Sequence, residues 1–305
     1  MRKIGFVLLT HTKPHQIERL VSRLDEMFDA PPIVCHHDWD KARLDEARYP
    51  ANVRFVRPHV QTSWAAYSVV EATIEALRQL HAGPDAPMWT VLLSGSDYPA
   101  SSAQRIIDDL DAGEAVGIDA FVQHRLVRLV DLADPKLAHF AQRYLNVPLH
   151  LPLRRGQRIR ARLKPYLSAP FVPFSRAFRC YVGSQWFTVN HRAVHRILST
   201  VECRPRLGRH YRRTIFSEES LLQSILANAH DLRLSGDHHR YVDFPGGSAH
   251  PKILTLDDFP AIVASGAHFA RKVDMDAHPD LLDALDRHVG IDQHTDHAAI
   301  CRAEP

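Results

Sequence analysis

The strongest constraint on this chain is the alternation, through its first third, of short apolar runs with segments of helical period. Ile4-Gly-Phe-Val-Leu-Leu9 has the length and character of a buried strand, and a helix follows from about Pro14 in which Ile17, Leu20, Val21 and Leu24 share a face. Pro32-Ile-Val-Cys35, Val53–Val56 and Met88–Leu93 repeat the strand signal. Between the last two, Trp64, Tyr67, Val70, Ile74, Leu77 and Leu80 recur at helical steps and predict a long helix. Ser101 or Ser102 can cap another through Ile106, Ile107 and Leu110. Such alternation predicts an α/β protein with a mostly parallel sheet covered on both sides. Further along, Ser184–Val189, Tyr241–Phe244 and Lys252–Leu254 read as strands. Helices are expected over Arg192–Thr200, from Ser217 through Leu226, over Leu256–Ala264 and over Asp280–His288. No repeat interrupts the 305 residues, so a single domain is the economical reading.

Composition removes several classes. No apolar run approaches the roughly 18 to 20 residues that a membrane span needs. Ile4–Leu9 is also too short for a signal-peptide core. Cys35, Cys180, Cys203 and Cys301 form no CxxC pair and read as reduced cytosolic thiols. The formal charge of +3 is mild but uneven. From Pro135 to Val201 there is no Asp or Glu, while Arg154, Arg155, Arg158, Arg160, Arg162 and Lys164 crowd together. This basic run lies in a proline-rich stretch of about 148–180 that reads as an inserted, partly mobile excursion. It has little aromatic interleaving and no recognised module, which argues against nucleic acid as a partner.

In an open parallel sheet, ligands bind outside the carboxyl ends of the strands. Three polar clusters fall there: Thr10-His11-Thr12, His36-His37-Asp38, and Ser94-Gly95-Ser96-Asp97-Tyr98-Pro99. The small residues let a ligand approach the backbone, and Asp97 can accept hydrogen bonds from a sugar or ribose; a tight Asx-type turn is the ordinary alternative. No GxGxxG or GxxxxGK[ST] occurs, so Rossmann hydride transfer and P-loop phosphoryl transfer lose support. His36, His37 and Asp38 alternate in direction along a strand and cannot all hold one ion. HExxH is also absent, so a metal hydrolase gains little. Glu218 and Glu219 in a helix's first turn are commonly partners of its dipole, or else one of them is a general base that takes a hydroxyl proton. Near the end, Lys252 and Arg271-Lys272 are cations able to neutralise a departing diphosphate.

In this order the pieces resemble the core-2/I-branching glycosyltransferase family, which includes beta-1,6-N-acetylglucosaminyltransferases and peptide O-xylosyltransferases. The matching blocks are the strand with His11, His36-His37-Asp38, Thr62-Ser63-Trp64, Leu92–Pro99, Gly183-Ser184-Gln185-Trp186-Phe187, Glu218–Gln223, His250-Pro251-Lys252 and Phe269-Ala270-Arg271-Lys272. The Leu92–Pro99 and Glu-Glu-Ser blocks are the most specific. The resemblance implies a single-domain nucleotide-sugar transferase A-type (GT-A-like) fold, a Rossmann-like mixed sheet covered by helices. Residues 1–275 would be the glycosyltransferase domain and 276–305 a C-terminal helix and tail.

It further implies an inverting enzyme that uses a UDP-sugar without a metal, the sugar being N-acetylglucosamine or xylose. By the same resemblance Glu219 is the catalytic base, and Glu218 stands where the family usually has Asp. His11, Asp38, Ser94, Gly95, Asp97, Lys252 and Lys272 fall on the donor side; Ser184, Gln185, Trp186 and Glu218 on the acceptor side. The acceptor would be a glycan, glycolipid or peptide. The family's animal members carry a membrane anchor and disulfides, and their lack here suggests a bacterial-type cytoplasmic enzyme. For the Arg154–Lys164 run, a solvated arm is the ordinary reading and docking on an anionic membrane surface the alternative. A non-catalytic sugar- or phosphopolymer-binding protein on the same fold is the competing reading.

Overall fold

The computed structural model describes residues 3–145, 148–152, 158–162, 173–247 and 250–290. The first half holds β1 (Ile4–Thr10), α1 (Pro14–Met27), β2 (Ile33–His37), β3 (Val53–Phe55), α2 (Ser68–Leu80), β4 (Trp89–Ser94), β5 (Asp97–Pro99) and α3 (Ala103–Ala115). The middle adds β6 (Ala120–Val122), β7 (Arg125–Leu126), α4 (Ala138–Tyr144), β8 (Pro148–Pro152), β9 (Arg158–Arg162), β10 (Tyr181–Val182) and β11 (Phe187–Asn190). Then come α5 (His191–Cys203), α6 (Pro205–Tyr211), α7 (Leu221–Ala227), β12 (Leu234–Ser235), β13 (Arg240–Val242), α8 (Phe259–Ser265), β14 (Phe269–Arg271) and α9 (Pro279–His288).

Among the described residues the main sheet has the order β12-β6-β11-β4-β1-β2-β3. Its β4, β1, β2 and β3 are parallel, and β11 runs antiparallel to both β4 and β6. The strand period of two sorts the layers. Phe6 and Leu8 of β1 pack with α1, α3 and α9, whereas Val7 packs on the other face with α2, α5 and α7. A smaller sheet, β13-β14-β5, pairs Arg271 with Asp97 across β14 and β5. That pairing draws the chain's late cations to the turn that follows β4.

Helix α9 is locked to the start of the chain by a buried carboxylate. Asp286 accepts from the Tyr98 hydroxyl at 2.8 Å and from Arg19 at 2.6 Å, and lies 3.3 Å from Nε of Arg23. Removing one partner of a buried ion pair leaves the other charges uncompensated, at a cost of about 3–5 kcal/mol. Asp286→Ala is therefore expected to lower unfolding free energy by roughly that amount in denaturant titration. A loss below about 1 kcal/mol would mean that Arg19 and Arg23 are satisfied without it.

Several sequence expectations shift. The helix predicted through Trp64 starts only at Ser68: Ala65 takes a left-handed φ of 59° and the Asp38 carboxylate captures Thr62, so Trp64 stands 73% exposed before the helix. Of the two candidate caps for α3, Ser102 is the one that accepts from Arg105 N. Lys252–Leu254 forms no strand, because its backbone bonds go singly to Asp243 and to Lys272 rather than into a ladder. The helix expected from Ser217 is broken in two, a 3-10 turn over Ser217–Glu219 and then α7. Its serines pull it apart: Ser217 Oγ bonds Tyr211 O at 2.8 Å and Ser220 Oγ bonds Tyr181 O at 2.6 Å. Of the basic run, Arg158–Arg162 is strand β9, paired with β8; its side chains and the rest of the run lie outside the described residues. No helix among the described residues is long and apolar enough to cross a membrane.

Candidate active site

A cleft of about 1040 Å³ opens across the carboxyl ends of β1, β2 and β4. The strand ends are built as hydrogen-bond staples. His37 Nε2 donates to Ala42 O at 2.8 Å, which leaves Nδ1 to accept from the Thr10 hydroxyl at 2.9 Å. His36 Nε2 accepts from Val60 N at 2.9 Å. Burial lowers the affinity of both rings for a second proton, for His36 down to about 4. Both are neutral at pH 7 and fix loops.

Asp38 is buried, and its Oδ2 accepts from Thr62 N at 2.8 Å and Thr62 Oγ1 at 2.7 Å, with Lys41 at 3.2 Å. Burial works against its charge, but the Thr62 hydrogen bonds and Lys41 outweigh it and hold the carboxyl at about 2. Asp97 is also buried, accepting from Ser94 N and Oγ at 2.6 and 2.5 Å. Neither carboxylate lines the cleft; each shapes the loop beside it. Asp38, Asp40 and His59 bring one ligand atom apiece within 4.8 Å of one another, a spacing that can hold a cation.

The cations gather at the end of β14. Arg271 lies 3.5 Å from Asp97 and 4.0 Å from the centre of the Trp186 ring. Beside it Arg240 donates to His238 O at 2.9 Å, and burial, partly offset by Asp97, pushes its pKa down to about 10. Lys272 lines the cleft with no ion pair among the described residues, and burial together with the charge of Arg271 lowers its pKa. His11 stands close enough that Lys41 and Lys272, after burial itself, disfavour its protonation. Lys252 behaves differently: it pairs with Asp258 at 2.7 Å and is not part of the cleft wall.

The same cleft also carries the acids. Gly183 passes so near Gln123 that a Cβ would sit 1.9 Å from its carbonyl oxygen, and the Gly183 N–H donates to Glu219 O at 2.8 Å. Gln223 ties the same loop by donating to Ser184 O at 2.6 Å and Glu218 O at 3.2 Å. Glu218 is buried, and burial, reinforced by the charge of Glu219, pushes its carboxyl up to about 7. Glu219 is 35% exposed at its side chain; burial raises its pKa and Arg143, 3.2 Å away, opposes the rise.

The structure thus brings His11, Ser94, Gly95, Lys272, Ser184, Gln185, Trp186, Glu218 and Glu219 to one cleft. Asp38 and Asp97 stand just behind its wall and Lys252 to one side. Sequence reasoning assigned no role to Arg240 or Arg143, and it grouped Arg271 with Lys272 as a diphosphate cation without foreseeing its contacts with Asp97 and Trp186.

An open, mixed sheet flanked by helices, with a polar cleft across its parallel strand ends, defines the nucleotide-sugar transferase A-type, Rossmann-like class. Residues 139–264 match the family model described as Core-2/I-Branching enzyme, a glycosyltransferase family, in agreement with the resemblance read from the sequence. The matched segment runs from α4 into α8 and contains the Glu218–Glu219 turn. The match supports an enzyme of glycosyltransferase type. No curated protein matches the chain.

Proposed function

We propose that the chain is an inverting, metal-independent glycosyltransferase that moves a sugar, N-acetylglucosamine or xylose, from a UDP-sugar to a hydroxyl of a glycan, glycolipid or peptide. The observation that carries this reading is that one cleft is lined both by two carboxylates, Glu218 and Glu219, and by a group of cations, Lys272, Arg271 and Arg240. Glu219 takes the acceptor proton as the hydroxyl oxygen bonds to the anomeric carbon. The carbon–oxygen bond to the diphosphate breaks from the opposite face, which inverts the centre. Lys272, with Arg271 and Arg240 behind it, stabilises the negative charge that collects on UDP. His11, Ser94 and Gly95 line the donor end, and Asp38 and Asp97 hold its loops; Ser184, Gln185, Trp186 and Glu218 line the acceptor end. Lys252, paired with Asp258 outside the cleft lining, has only a minor part in holding the donor.

Calorimetric titration with UDP in EDTA tests the donor site. Micromolar binding is expected without any divalent ion. Binding that appears only with added magnesium or manganese would overturn the metal-free reading and point to Asp38, Asp40 and His59. An absence of binding under both conditions would remove the donor assignment.

A further inference from the structure

Glu219 does not stand alone. Its Oε2 lies 3.2 Å from Nη1 of Arg143, while Oε1 has no partner among the described residues. Arg143 sits in α4, 76 residues earlier, and is 19% exposed at its side chain. Its guanidinium lies over the Phe216 ring, 4.3 Å from its centre, and 5.9 Å from the centre of the Phe140 ring. The next residue, Tyr144, donates its hydroxyl to Phe216 O at 2.7 Å. Phe216 opens the Ser217–Glu219 turn in a left-handed conformation, φ 55°, and its N–H donates to Ala65 O at 3.0 Å. Two successive residues of α4 therefore grip the acid-bearing turn, one at the backbone and one at the carboxylate.

We propose that Arg143 is a positioning residue for Glu219, holding one carboxylate oxygen so that the other is presented to the acceptor hydroxyl. The inference rests on the proposal that Glu219 is the base. A base has to stay ionised and keep one lone pair open in a fixed direction, and a guanidinium anchored on aromatic rings provides both. Arg143 and Tyr144 face Glu219 from α4 and Glu218 from its own turn, whereas the Gly183–Ser184 loop and Gln223 bring no charge. His124 and Arg125 line the same cleft from β7 and its preceding loop. Arg143 is the cation that opposes the effect of burial on Glu219.

The sign follows. Without Arg143 the Glu219 carboxyl holds its proton to higher pH, so activity that needs the carboxylate is lost sooner as pH falls. In the full-length protein, release of UDP from UDP-N-acetylglucosamine and UDP-xylose is measured against pH for wild type, Arg143→Gln, Arg143→Lys and Glu219→Gln. For Arg143→Gln the acid limb of kcat is expected to move up by about one pH unit and kcat at its plateau to fall at least about tenfold. Arg143→Lys keeps the charge but loses the rigid planar fork of donors, so its limb stays near the wild-type position while kcat falls about threefold to tenfold. An unmoved limb in Arg143→Gln, whatever its kcat, overturns the inference. If Arg143→Gln does not fold, a wild-type kcat in Arg143→Lys overturns it. Carbon-13 titration of the Glu219 carboxyl, assigned by its loss in Glu219→Gln, gives a readout that needs no turnover: its midpoint rises in Arg143→Gln, and an unchanged midpoint sinks the idea. An active Glu219→Gln would instead defeat the proposed base itself, which keeps the two failures apart.

Discussion

Glu219→Gln is expected to reduce kcat by roughly 10³-fold while leaving the UDP dissociation constant within about twofold of wild type. The amide keeps the shape and the Arg143 neighbour but cannot accept the proton that the acceptor hydroxyl must lose. In the proposed arrangement UDP lies at Lys272, which the substitution leaves alone. Because burial raises the Glu219 pKa, the acid limb of the wild-type kcat profile should lie above the ordinary carboxylate value, and it should vanish in the variant. The base form is the ionised one, so wild-type activity is lost as pH falls through that raised value. The neighbouring Glu218 carboxyl is pushed up to about 7 by burial, with the charge of Glu219 adding to the rise. Retention of more than about a tenth of wild-type kcat would refute the assignment of Glu219 as base.

Lys272→Ala should act on both observables together. Its ammonium has no ion pair among the described residues and is partly desolvated, so the cleft already favours an anion there. Loss of such a charge-assisted contact to diphosphate should weaken UDP about tenfold and slow turnover by a similar or larger factor, since charge on the leaving group grows in the transition state. Lys252→Ala is the informative comparison. Lys252 already pairs with Asp258 outside the cleft wall, so its removal should shift the UDP dissociation constant by less than about threefold. Equal effects of the two variants, or unchanged UDP affinity in Lys272→Ala, would reverse the roles given to these lysines.

How much of this was legible in the sequence depends on distance along the chain. β1, β2 and β4 with their polar ends could be read because apolar runs and small polar turns are local signals, and the sheet brings those ends together by topology alone. Trp64 was misread because a helical period extends backwards for free, whereas a left-handed Ala65 and the capture of Thr62 by Asp38 are tertiary events. The turn bearing Glu218 and Glu219 looked like a helix start, since nothing nearby reveals that Ser217 and Ser220 bond to Tyr211 and Tyr181. Phe269–Arg271 is too short to announce itself as a strand, yet its pairing with β5 is what aims the cations at the cleft. Arg143 left no signal at all, because its partner lies 76 residues away.

The carboxylate of Asp286 has a consequence for how the protein is made. Arg19 and Asp286 are 267 residues apart, so the counter-charge that Arg19 meets in the finished fold leaves the ribosome long after Arg19 itself. Until then α1 and β5 hold a guanidinium and a phenol whose buried acceptor has not been synthesised. The face of the sheet carrying Phe6 and Leu8 can close fully only once α9 has been made, and a chain stopped short of α9 leaves Arg19 of α1 without this buried counter-charge.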